Sequence, residues 1–225
     1  MKVFLIDIRK YNSNQEYDLC LDVLKDYFNK YHIDYFILKE NEFNVDPSWL
    51  KLKCFDYIED DFVLCWDVDL LPKKDTSSIV NDLNLGKVNL SIDSTVILKN
   101  QPLWMPEFKY NCGLIGIPKS YKKSFENIFD AKRKSDWPSY EQYHVNKFLY
   151  PFDDVHELDK TWNCQWHMPT LGSQYILSAK AVHYTGPMVF GPHRNQLIKN
   201  HHELYFKKYC YCCLICAASL FLFII

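Results

Sequence analysis

A basic excess, a low-complexity tract and an internal repeat are all missing from this 225-residue sequence. Lysine and arginine number 26 against 28 acids, for a net charge of −2 and a pI near 6.4. A basic field of the kind that bulk nucleic-acid binding needs is therefore excluded. The apolar part of Met1-Lys2-Val3-Phe4-Leu5-Ile6-Asp7 is too short for a secretory leader and ends in an acid, so a first strand and a cytoplasmic location are expected. Paired cysteine spacings are missing too. Cys20, Cys54, Cys65, Cys112 and Cys164 stand isolated, mostly in apolar runs, and are expected to be free buried thiols in a reducing compartment. Cys213-Leu214-Ile215-Cys216 has no second pair beside it, which leaves a zinc site poorly supported.

What is present describes an ordinary globular chain, 48% hydrophobic and 24% charged, of a length that buries about 70% of its unfolded surface. Aromatic residues reach 16%, a content suited to a thick core and to stacking surfaces for sugars or bases. Val3 to Ile8 reads as a central parallel strand. Ser13 and Glu16 make a capping-box pair, after which Tyr17, Cys20, Leu21, Leu24, Tyr27, Phe28 and Tyr31 recur at helical spacing. Ile33 to Leu38 is the second strand. Asp46-Pro47 starts a helix to about Ile58, with Lys51 on the face of Cys54, Phe55 and Ile58. A lysine so placed either points a cation along the core side or snorkels to water. Phe62 to Trp66 is a third strand.

Further on, the pattern predicts a helix over 75–85, strands over 90–98 and 109–118, and helices over 121–133, around Glu141-Gln142, and over 195–208. A late strand runs Ala181-Val182-His183-Tyr184 into Gly186. Alternating strands and helices followed by mixed strands predict an α/β sheet flanked by helices. Its ligand site is expected beyond the carboxyl ends of the strands. Residues 1–208 form one domain on this reading. Residues 209–225, uncharged and rich in cysteine, form a tail that is either a membrane anchor, at the lower limit of length for spanning a bilayer and with acylation of its cysteines adding affinity, or a plain chain end.

The third strand ends in Asp67-Val68-Asp69 and Pro72 stops the segment that follows. The two carboxylates share a side only if the backbone stays extended, or if it turns so that both swing toward one point. Unless solvated, such a pair wants a hard divalent cation, Mn²⁺ or Mg²⁺, which when held this way also contacts substrate phosphates.

The ordered set Lys51-Leu52-Lys53, Asp67-Val68-Asp69, Asn111-Cys112-Gly113, Glu141-Gln142, Trp162-Asn163 and His183-Tyr184-Thr185-Gly186-Pro187 resembles the GT-A glycosyltransferases. It is most similar to the family 8 type, which includes glycogenin and bacterial galactosyltransferases. The compact length also resembles glycosyltransferase domains of large algal viruses. The resemblance implies a Rossmann-like GT-A fold and transfer of a sugar from a nucleotide-diphosphate sugar, a uridine diphosphate sugar, to a glycan or protein acceptor with retention. It implies Asp67, Asp69 and His183 as ligands of Mn²⁺ or Mg²⁺, and Glu141 and Gln142 as the catalytic pair near the anomeric carbon. Asp7, Tyr11, Lys51, Asp93, Asn111 and Gly186 would bind the donor, Tyr11 by stacking on the base. The chain departs from the family twice. Met188-Val189-Phe190 stands where Lys-Pro-Trp is usual, leaving Arg194 or His193 to reach the diphosphate. Glu141 replaces an aspartate. Two other classes fit the acidic pair: a metal-dependent nucleotidyltransferase or phosphohydrolase, and a non-catalytic sugar-binding or membrane-tethered protein, which needs neither Glu141-Gln142 nor a metal.

Overall fold

The computed structural model describes residues 1–8, 15–93, 109–132, 141–166, 177–184 and 191–206. Strands β1 (Lys2–Ile6), β2 (Tyr35–Leu38) and β3 (Phe62–Trp66) run parallel, β1 lying between the other two. β4 (Leu70–Pro72) leaves this sheet. β5 (Val88–Ile92) and β6 (Tyr110–Pro118) return to it, and β7 (Val155–Leu158) closes its far edge. The sheet order is β2-β1-β3-β6-β5-β7, with β6 antiparallel to both of its neighbours. A smaller sheet pairs β4 with β9 (Ala181–His183) and β9 with β8 (Cys164–Gln165). This is the mixed α/β sheet flanked by helices expected from the sequence pattern.

Alternation along the strands builds two cores, one on each face. Val3, Leu5, Phe62, Leu64 and Trp66 pack toward helices α1 (Gln15–Lys30) and α4 (Gly191–Phe206). Phe4, Val63 and Cys65 pack the other way, toward the segment Pro47–Asp56 and helices α2 (Lys122–Lys132) and α3 (Glu141–Leu149). α1 forms because Cys20, Leu21, Leu24, Tyr27 and Phe28 line one stripe, with Glu16 and Asp18 at its positive end and Lys30 at its negative end. Cys20, Cys54, Cys65, Cys112 and Cys164 are free and buried, as expected.

Several elements differ from the sequence expectation. The segment after Asp46-Pro47 is a 3₁₀ helix over Pro47–Asp56, capped by Asp46 through the Ser48 amide. It is buried on nearly every side between the sheet and α2, so the amphipathic stripe of an α-helix has no exposed face to pair with. No long helix forms over 75–85. Only Ile79–Asp82 turns, because Ser78 and Tyr27 take the local amides and Thr76 donates to Lys180, which competes with helical bonding. β2 starts at Tyr35, since the chain leaves α1 through His32 at φ 54° and an Ile33 amide bond back to Phe28. β5 begins at Val88 and ends at Ile92, and the remainder of the strand predicted over 90–98 lies largely outside the described residues. Ser13 and residues 209–225 also lie outside them. Among the described residues no helix is long and apolar enough to cross a membrane.

His201, on α4, is 2% exposed, accepts from the Tyr184 hydroxyl and donates through Nε2 to Pro72. Burial, with Lys73 and His202 nearby, pushes its pKa from 6.5 down to about 4. The unfolded chain therefore binds a proton at His201 between pH 6.5 and 4 that the folded chain refuses. Stability contributed at neutral pH is lost as pH falls across that window, by about 3 kcal/mol. Thermal melts of wild type and His201→Gln over this range check it: the variant's curve is expected to be flatter by that amount.

Candidate active site

Three aspartates stand one residue beyond the ends of three strands that point the same way: Asp7 after β1, Asp67 after β3 and Asp93 after β5. The start of the oppositely directed β6 comes to the same end of the sheet. Of the two backbone courses open to Asp67-Val68-Asp69, the chain takes the turn. The Leu70 amide bonds back to Asp67 O at 2.9 Å, with Val68 buried beneath. The Asp67 amide extends the ladder to Gly113 O at 2.8 Å, and Asp69 O accepts from Tyr184 at 2.9 Å. The turn is thus pinned to both sheets. β9 lies between β4 and β8, so His183 is delivered to the same place.

Each carboxylate divides its two oxygens. Asp67 Oδ1 meets Lys51 Nζ at 2.6 Å and Asp69 Oδ2 meets Arg194 at 2.7 Å. Asp67 Oδ2 and Asp69 Oδ1 face His183 Nε2 at 3.7 and 3.4 Å. One ligand atom from each of Asp67, Asp69 and His183 lies within 4.8 Å of the others. His183 Nδ1 bonds Asn163 Oδ1 at 2.8 Å, which leaves Nε2 as the lone pair of the neutral ring. Two carboxylate oxygens and an imidazole nitrogen then converge with no hydrogen between them, and they fit a divalent cation. Burial pushes Asp67 up and Asp69 adds to this, against Lys51 and His183. Burial also acts to raise Asp69, but its interactions with His183 and the Arg194 guanidinium hold it well below the usual carboxylate range. Positive charge at Nε2, from a proton or from a metal, is what the pair asks for.

Lys51 is 4% exposed and does not snorkel. Its three donors go to Cys112 O at 2.9 Å, Asp67 at 2.6 Å and Glu141 at 3.3 Å. Burial alone would lower its pKa, yet the two carboxylates raise it above the ordinary lysine value. Glu141, the first residue of α3, is 5% exposed and ion-paired, so it is not a solvated helix residue.

β6 slips against β5 between Leu90/Ile115 and Ser91/Asn111, so residues 112–114 have no partner in the β5 ladder. Side chains of the site take up two of their amides. Gln142 Oε1 accepts from the Cys112 amide at 3.0 Å and Asn111 Oδ1 accepts from the Gly113 amide at 2.8 Å. Asp93 Oδ2 gathers amide donors from Asn111 at 3.1 Å, Gln165 at 3.2 Å and Gln142 at 3.4 Å. Gly113 is needed for packing: a Cβ there would come within 2.7 Å of His183 Nδ1 and 2.9 Å of Asn111 Oδ1, and closer still to ring carbon Cε1.

Asp67, Asp69, His183, Lys51, Glu141, Gln142, Asn111 and Asp93 therefore meet in one connected cluster. Asp7 is buried at the same sheet end, near Cys20. Tyr11 and Gly186 lie outside the described residues. Sequence reasoning assigned no role to Asn163 or Gln165. Their signal was only the Trp162-Asn163-Cys164-Gln165 run, after Asp159 caps the short 3₁₀ turn Lys160–Asn163. Arg194, raised there as a substitute cation, is held by Asp69, Tyr184 and Tyr17.

No family model matches the sequence, and no curated protein sequence matches it. Solved structures do match its fold. A glycosyltransferase involved in the glycosylation of the major capsid of PBCV-1 superposes with a TM-score of 0.67 at 11% identity, over 89% of this chain and 100% of that one. The glycosyltransferase GlyE of Streptococcus pneumoniae TIGR4 superposes at 0.57 and 13% identity, over 95% of this chain. The bifunctional glycosyltransferase WbbM superposes at 0.57 and 14%, over 83% of this chain. The chain spans 62% of GlyE and 46% of WbbM. The fold is that of these glycosyltransferases.

Two substitutions test the packing of the cluster by urea denaturation. Lys51→Met strips the counter-charge from Asp67 and Glu141 and is expected to cost about 3 kcal/mol. Gly113→Ala drives a methyl into His183 and Asn111 and is expected to cost about 1–3 kcal/mol.

Proposed function

We propose that this chain is a metal-dependent glycosyltransferase of the GT-A, family 8-like type. It moves a sugar from a nucleotide-diphosphate sugar, a uridine diphosphate sugar, to a glycan or protein acceptor. The observation that carries the reading is the division of oxygens: Lys51 and Arg194 hold the outer oxygens of Asp67 and Asp69 while the inner ones converge with His183 Nε2. The glycosyltransferase neighbours share the fold in which such a cluster stands at the sheet's carboxyl ends.

A divalent ion held there supplies Lewis acidity toward the diphosphate that leaves when the sugar–phosphate bond breaks. The chain's own residues do the remaining work. Arg194, four residues into the described helix α4, offers a guanidinium beside Asp69 for the phosphate charge. Asn111, Gln142 and Gln165 present amides whose orientations are set by Asp93. They suit a polyhydroxylated ring. Glu141 is already paired with Lys51, so it acts as a fixed negative charge facing an oxocarbenium-like centre, not as a free base. This role is compatible with retention, with a phosphate oxygen of the leaving group taking the acceptor's proton. The membrane contact proposed for residues 209–225 rests on their composition.

Thermal shift with a panel of nucleotide-sugars, with and without Mn²⁺, tests the assignment. With donor at about 100 times its Kd, wild type plus Mn²⁺ is expected to gain roughly 2.7 kcal/mol, about 5–10 °C. Asp69→Ala is expected to show no metal-linked gain. If no nucleotide-sugar shifts wild type in a metal-dependent way, the glycosyltransferase reading fails.

A further inference from the structure

We infer that Asn163 is a positioning residue that sets the tautomer of His183, through a one-way hydrogen-bond relay running from Asp93 and the Gly113 amide by way of Asn111. The inference rests on the metal reading above for its consequence, and on hydrogen-bond polarity alone for its direction.

The relay is buried throughout: Asp93 is 4% exposed, Asn111 7%, Asn163 0% and His183 3%. Its two origins have fixed polarity. An ionised carboxylate only accepts and a backbone N–H only donates. Asp93 Oδ2 therefore takes the Nδ2 end of Asn111, at 3.1 Å, and the Gly113 amide takes its Oδ1 end, at 2.8 Å. Neither end of Asn111 can be exchanged without setting two acceptors or two donors face to face. Asn111 Oδ1 then accepts from Asn163 Nδ2 at 2.8 Å, which fixes the second amide. Its Oδ1 is left facing His183 Nδ1 at 2.8 Å. An acceptor there requires a proton on Nδ1, so in the neutral ring the lone pair falls on Nε2, toward Asp67 and Asp69. The identity of a ligand atom is thus dictated from a carboxylate two amides away. Gly113, with no Cβ to intrude on the His183 ring or on Asn111 Oδ1, is what lets the relay close.

The other tautomer would put a hydrogen between His183 and the inner oxygens and close the cation position. Asn163→Leu keeps the side-chain size but ends the relay before the ring.

Two measurements on the full chain test this. In metal-free wild type, ¹⁵N NMR of the imidazoles at a pH where His183 is neutral, with His183→Gln to assign its signals, is expected to show a protonated Nδ1 and a bare Nε2. A neutral ring protonated at Nε2 overturns the inference. Titration with Mn²⁺ alone, followed by electron paramagnetic resonance, is expected to show affinity weakened about 10–100-fold in Asn163→Leu. Equal affinity in the two proteins overturns it. If wild type takes up no Mn²⁺, the metal reading fails by itself, and the NMR result still decides the relay. The same NMR result decides it if Asn163→Leu does not fold.

Discussion

The compensation of buried negative charge by Lys51 is the interaction on which the rest of the site depends. Three carboxylates, from Asp67, Asp69 and Glu141, are gathered at the end of a sheet whose interior is apolar. Left uncompensated, they would neutralise themselves by taking protons or would push the strand ends apart. Lys51 spends its donors on two of them and on Cys112 O, and Arg194 takes the third. These cations arrive from different elements, one on the 3₁₀ helix Pro47–Asp56 and the other on α4. The two cores on opposite faces of the sheet therefore both hold the site, and packing errors in either would be felt at the acidic turn.

The slip of β6 against β5 has a complementary role. A regular ladder would have consumed the amides of Cys112 and Gly113. The irregularity hands them to Gln142 and Asn111. Side-chain amides that would otherwise rotate are locked by main chain at one end and by Asp93 at the other. Order at the site comes from the polarity of hydrogen bonds more than from their number.

Much of this was legible before the fold was known. Continuous apolar runs gave away β1 and β3, and the acidic pair after Trp66 fell where an α/β sheet places its ligands. His183 was legible as a histidine at a strand end. The environment of Lys51 was not, because helical spacing says which face a lysine occupies but not that two carboxylates wait there, one of them 90 residues away in the sequence. Asn163 was harder still. Its place depends on partners 20 and 52 residues distant and on which of its two ends each one needs. The missing helix over 75–85 reflects Ser77, Ser78, Thr76 and Asn84, whose side chains and neighbours satisfy backbone groups locally while Tyr27 intrudes from α1.

The arrangement of cations around the acidic turn also bears on the order of events. With four carboxylates, from Asp67, Asp69, Glu141 and Asp93, against the two side-chain cations Lys51 and Arg194, the cluster by itself carries an excess of negative charge and repels a diphosphate. On the proposed reading, a divalent ion would offset that charge. The metal would then enter before the donor, and the two would leave in the opposite order. A donor arriving alone would meet a closed door of like charge, so the protein would sense its metal supply before it could commit a sugar.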